Sequence, residues 1–194
     1  MAITLPTGKA GLRAVPQLVP AAGLSRSVGA QNLNAVTWHG RHWLFPFYLP
    51  AMSQAAALDW SDLEEDAATL VLEIPQGDLQ AANEGAPRVK GAGQLGASLE
   101  LDGVTASYVV KKGAFISIII NGRRYVYRVK AEATSNGATE VTLSLRPSIR
   151  VPPPDNAVVE IAAPKVEGFV LSMSHTLAAL YQGGGATFDI EERG

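Results

Sequence analysis

The sequence predicts a mainly β fold with one α-helix, in which a small β-barrel is inserted into a β-sandwich. Three observations carry this. The chain holds 19 glycines and 12 prolines in 194 residues, a turn-rich composition that favours strands over a helical bundle. Its apolar residues fall in short runs closed by turn dipeptides, the Asn121-Gly122 pair being the clearest. Its C-terminal strand-like runs have to pair with something, and the N-terminal part contains strands in need of partners.

The elements follow in order. Residues 1–27 are rich in Pro, Gly and Ala, and Pro16 and Pro20 leave room only for an edge strand, because each proline removes a ladder donor. The segment reads as an extended arm that lies on a neighbour or moves. Residues 33–38 and 42–49 read as a hairpin turned by His39-Gly40-Arg41. The second strand puts Trp43, Phe45, Phe47 and Leu49 on one face and Leu44, Pro46 and Tyr48 on the other. A strand apolar on both faces expects cover on both, from a sandwich or a second subunit. Trp43, Phe45, Phe47 and Tyr48 are therefore candidate subunit-interface residues, and Pro46 implies an unpaired edge.

Ser53 is a plausible N-cap for a helix reaching about Ala67, with Ala56, Trp60, Leu63 and Ala67 as its apolar stripe. Asp59, Asp62, Glu64, Glu65 and Asp66 make its remaining surface acidic, several of them near the C-terminal end where the macrodipole disfavours them. A tolerated solvent face, a basic partner or a place facing a lumen would account for that conflict. Residues 70–74 read as a strand, and residues 78–96 as a long boundary loop.

Short strands then follow at 98–101, before Asp102-Gly103, and at 108–110, before Lys111-Lys112-Gly113. The Asn121-Gly122 hairpin joins residues 115–120 to 123–130, since a type I′ turn needs positive φ at both central positions. Tyr125, Tyr127 and Val129 alternate with Arg124, Arg128 and Lys130, which predicts a buried face and a basic, wet one. Residues 141–145 and 158–161 complete a small barrel or sandwich of OB-like type. Residues 169–173 and 186–190 are strands expected to complete the N-terminal unit. The division is thus 1–86 plus 167–194 for one unit and 87–166 for the inserted barrel.

Charge divides in the same way. Residues 87–150 carry ten basic and four acidic side chains, about +6, and the rest of the chain is about −8, giving the net −2. A basic barrel suits nucleic acid, a solvated face or a subunit contact.

The absence of cysteine excludes disulfides, Cys-ligated zinc and thiol catalysis. Residues 1–5 show no basic region leading into an apolar one, and no apolar run reaches a membrane span, so neither a signal peptide nor a membrane anchor is expected. His39 and His42 have ligand-like spacing but no acidic neighbour in sequence, and structural roles are expected for them. Gly183-Gly184-Gly185 lacks a following Lys-Ser/Thr. Gly91, Gly93 and Gly96 have fingerprint spacing without the strand before and helix after. No catalytic constellation emerges, and no enzyme activity, metal or cofactor is expected.

The order of these features resembles the distal tail proteins of siphophage-type tails and gene transfer agents. Arg26-Ser27-Val28-Gly29-Ala30-Gln31 is similar to the family's Ser-Arg and Gly-Ala-Gln stretch before the first hairpin. Trp43 followed by Leu49-Pro50-Ala51-Met52-Ser53 is similar to the junction that opens the family's helix, and Trp60 takes the place of its tryptophan. Pro87-Arg88-Val89-Lys90-Gly91-Ala92-Gly93-Gln94-Leu95-Gly96 resembles the entry to the inserted barrel, and Leu145-Arg146-Pro147-Ser148-Ile149-Arg150 its exit. Gly168-Phe169-Val170-Leu171 and Phe188-Asp189-Ile190-Glu191 match the C-terminal strands. The resemblance runs from about Arg26 to the C-terminus. Lys111-Lys112-Gly113 departs from it in place of a Gly-Asp type turn, and the segment 59–66 is more acidic than the family pattern.

The resemblance implies a tail-tube-like β-sandwich whose copies close into a six-membered ring around a DNA channel. The ring would stack on the tail tube protein, hold the tail hub or baseplate protein, and leave the barrel free to meet a tail fibre or the host surface. It implies a virion protein of the distal tail, assembled in the host cytoplasm, with DNA only passing through. Glu64 and Glu65 are candidate channel-facing residues. Arg124, Arg128 and Lys130 form the candidate basic barrel face. Competing readings are a tail tube or other connector subunit, a nucleic-acid-binding module in which Tyr125 and Tyr127 stack on bases, and a carbohydrate-binding module.

Overall fold

A computed structural model describes residues 3–4, 13–20, 22–26, 33–37, 41–51, 69–174 and 186–193. In chain order the strands are β1 (Ile3–Thr4), β2 (Arg13–Ala14), β3 (Gln17–Val19), β4 (Ala22–Arg26), β5 (Leu33–Thr37), β6 (His42–Leu49) and β7 (Leu70–Glu73). After a single 3-10 turn at Gly77–Leu79 come β8 (Gly85–Val89), β9 (Gly96–Val104), β10 (Val109–Val110), β11 (Phe115–Ile120), β12 (Arg123–Val129), β13 (Ala133–Thr134), β14 (Val141–Ile149) and β15 (Val159–Glu160). The chain ends in β16 (Lys165–Ser174) and β17 (Ala186–Glu192). The molecule is mainly β, and that 3-10 turn is the only helical element among the described residues. The predicted helix from Ser53, with Trp60, Glu64 and Glu65, lies outside them, as do His39, His175 and Gly183-Gly184-Gly185.

Two sheets dominate. The first is curled and runs β1-β7-β16-β17-β6-β2, with β3 also on β6. Its central strands, β16 and β17, are the last of the sequence. The second runs β15-β11-β12-β14-β9-β8. Its two ends meet where Arg88 bridges Val158, and Val89 N–H donates to the Ala157 carbonyl at 2.9 Å, so the sheet nearly closes into a barrel. Pairs β4–β5 and β10–β13 stand apart as two-stranded ribbons.

Local chemistry explains most of these elements. Asn121 and Gly122 take φ of 52° and 77°, and the turn they make sets the β11–β12 register from Ile120↔Arg123 to Phe115↔Arg128. In β6 the odd positions Trp43, Phe45, Phe47 and Leu49 are buried, while Tyr48 is exposed. In β14 Val141, Leu143 and Leu145 are buried, and Thr142 and Arg146 are exposed. At Gly168 a Cβ would overlap the Glu191 carbonyl, so only glycine lets β16 and β17 approach there.

Several expectations are corrected. β5 pairs with β4, not with β6, because both sides of β6 are taken by β17 and by β2–β3. Residues 13–19 of the N-terminal arm lie on the edge of the chain's own sheet, not on a neighbour. Pro46 does not mark an edge. Its carbonyl accepts from Val15 N–H at 3.0 Å, so its missing donor faces the edge segment and costs the β6–β17 ladder nothing. The predicted boundary loop contains β8. Asp102-Gly103 is not a hairpin turn but lies inside β9, where Gly103 takes φ of 69° and a Cβ would overlap the Ala86 carbonyl.

Candidate functional site

The two sheets meet along a seam, and strand parity shows how. β12 pairs fully with β11, but with β14 only at Arg128↔Arg146 and Val129↔Leu145. Over residues 124–126 its outer edge is therefore open, and every second N–H on that edge needs an acceptor. Two carboxylates supply them. Glu192, at the end of β17, accepts from Val126 N–H at 2.7 Å, and Glu167 on β16 accepts from Arg124 N–H at 3.3 Å. Both glutamates are buried.

Glu192 does more. Its second oxygen accepts from Trp43 N–H at 2.9 Å, and Arg150 Nη2 pairs with the first. One carboxylate thus joins β6, β12, β17 and the chain after β14. Burial works against the Arg150 charge, but the Glu192 carboxylate outweighs it and holds the guanidinium above its ordinary range. Arg150 also lies over the rings of Tyr125 and Tyr127, at 5.7 and 5.6 Å. Its backbone N–H donates to the Tyr127 hydroxyl at 3.2 Å, and burial pushes that phenol up.

Polar clamps continue along the seam. Phe115 N–H donates to Gln76 Oε1 at 2.6 Å, and Gln76 Nε2 donates to the Ile161 carbonyl at 3.0 Å. Buried Ser117 donates to Glu160 at 2.5 Å and accepts from Lys165 N–H at 3.1 Å. Between these clamps the seam is apolar. Phe115 meets Trp43 edge-on at 5.1 Å and Phe45 at 5.7 Å, and Val126 joins the same core.

The candidate residues fall into three groups. Trp43, Phe45 and Phe47 are buried in the core of the chain itself, which takes them out of the candidate interface set; the cover their face needed comes from Phe115 and Val126. Tyr48 stays exposed at 44%, on the opposite face of the sheet. Thr187 lies beside it on β17, and Phe169 and Leu171 on β16 are likewise exposed. Glu64 and Glu65 lie outside the described residues. The basic face divides: Arg124 is half-buried and ion-paired with Glu160 at 3.3 Å, whereas Arg128 and Lys130 are exposed. The tyrosines that alternate with them are buried in the barrel core, so neither offers a ring to a base.

His42, on β6, pairs with Glu191 of β17, a structural contact across the sheet. No group of three metal-ligating side chains occurs among the described residues. A groove of about 490 Å³ lies beside Tyr108, and a smaller, mainly polar one of about 250 Å³ lies beside Lys90 and Glu140.

Sequence reasoning missed the seam. One signal was present: Glu192 continues the Phe188, Ile190 alternation, which places a carboxylate on the buried face of β17. A scan against models of protein families finds no match for this chain, nor does a search of curated proteins.

Proposed function

We propose that the chain is a structural subunit of a long-tailed phage or phage-like particle, a distal tail protein whose copies form a ring joining the tail tube to the tail-tip hub. In this reading the curled first sheet is a tail-tube-like sandwich wall around the DNA channel. The second sheet is an OB-like barrel inserted into it and carried on its outside. The resemblance in motif order carries the proposal. What supports it is that the barrel strands, β8 to β15, stand in sequence between β7 and β16, which are neighbours in the first sheet. A rigid seam suits such a part, since it fixes the direction in which the barrel projects.

The nucleic-acid reading needs aromatic rings on the basic face, and Tyr125 and Tyr127 are core residues. The deciding measurement is the mass of the purified protein in solution, with negative-stain images of the same sample. Hollow rings of about six copies are expected from closed heterologous contacts. A monomer that binds oligonucleotides or glycans tightly overturns the proposal.

A further inference from the structure

The outer face of the barrel carries a charge arrangement that the fold does not explain. Arg128 and Arg146 are direct cross-strand partners in the β12–β14 ladder, and both are exposed. Like charges opposite one another destabilise a sheet. Lys130 follows on the same face, where its N–H donates to the Ser144 carbonyl at 2.7 Å. Lys112 stands in the turn before Gly113, whose carbonyl accepts from Arg128 Nε at 3.1 Å. None of these four cations has an ion-pair partner among the described residues. Glu100 lies opposite Thr142 on β9, and exposed Glu132 follows Lys130 by two residues.

The sequence holds a matching anion. No lysine or arginine occurs between Arg41 and Arg88, and that stretch includes Asp59, Asp62, Glu64, Glu65 and Asp66. We propose that the Lys112, Arg128, Lys130 and Arg146 face docks the acidic segment 59–66 of a second copy of this chain. The contact is heterologous, one face of each copy meeting a different face of the next, as ring closure requires. It rests on the ring reading above. It also assigns Glu64 and Glu65 to a subunit contact instead of a channel wall.

Arg128 covers the Phe115 ring at 5.7 Å, so replacing it would confound assembly with folding. Lys130→Glu with Arg146→Glu avoids this and leaves Arg128 facing an opposite charge. The second variant is Asp62→Lys with Glu65→Lys. Sedimentation of full-length protein at low and high salt is the measurement. Wild type should associate, and more weakly as salt rises. Each double variant should lose association by about tenfold or more. An equimolar mixture of the two should recover it, because each contact then pairs unlike charges. Rings that form in wild type and persist in both variants overturn this inference and leave the ring reading standing. So does a Lys130→Glu/Arg146→Glu variant that loses only duplex-DNA binding, which would mark the face as a phosphate site. A wild type that stays monomeric overturns this inference, and overturns the ring reading as well if it binds oligonucleotides or glycans tightly.

Discussion

Every buried residue of the barrel core lies within one stretch, Val89 to Ile161, whereas the first sheet gathers its core from residues 43–74, from residues 166–190, and from Phe115 and Val126 of the barrel. Among the described residues the barrel core is drawn from the barrel alone, and the core of the sheet is not. The two also differ in how they end. The barrel nearly closes on itself through Arg88 and Val158, while among the described residues the sheet has edges at β1 and at β2–β3. The sheet borrows its stability from the barrel, and the loan is made through the seam.

The most severe test separates them. Residues 84–162 expressed alone should fold cooperatively, and the chain lacking them should not, as read by circular dichroism and thermal melting. A first sheet that melts cooperatively without the barrel would break the comparison. Next in size is Glu192→Ala, which strands the Arg150 charge and two backbone donors and should cost about 3–5 kcal/mol in urea unfolding. The loss should fall on the sheet before the barrel, giving two transitions where wild type has one. Phe115→Leu removes two edge-to-face contacts with Trp43 and Phe45 and should cost about 1–2 kcal/mol, again from the sheet.

Tyr108 probes the barrel alone. Its hydroxyl donates to the Ala81 carbonyl at 2.6 Å, and burial, aided by Glu84, pushes its pKa up to about 12. The folded value is raised, so its contribution is complete below pH 10 and lost as pH climbs through about 12. Spectrophotometric titration should show late-ionising phenols, Tyr127 among them, and Tyr108→Phe should remove one of these at a cost of about 1 kcal/mol at neutral pH. Least of all, Lys90→Ala breaks an exposed pair with Glu140 and should leave the melting temperature unchanged.

What was legible in the sequence follows the same division. The barrel hairpin could be read because Asn121-Gly122 fixes its turn locally, and the burial of Tyr125, Tyr127 and Val129 follows from period-two alternation alone. The first sheet was harder. β6 looks like half of a hairpin, and only the distant strand β17 and the proline-rich edge segment show otherwise. Alternation identified its apolar face but not what covers it, since Phe115 and Val126 come from strands distant in sequence. Val126 is the instructive error. It shares a face with Arg124 and Arg128, which reads as wet, yet it is fully buried because that face turns to the seam.

The central position of β16 and β17 bears on the order in which the chain becomes structured during synthesis. The barrel is complete in sequence by Glu160, so it can form while the C-terminal strands are still inside the ribosome. Until β17 emerges, β6 lacks that partner, and among the described residues Trp43, Phe45 and Phe47 have β7 and the freshly made barrel wall to shelter against. The barrel therefore serves the nascent chain as a surface that guards an apolar strand, with Glu192 arriving after it to latch the two together.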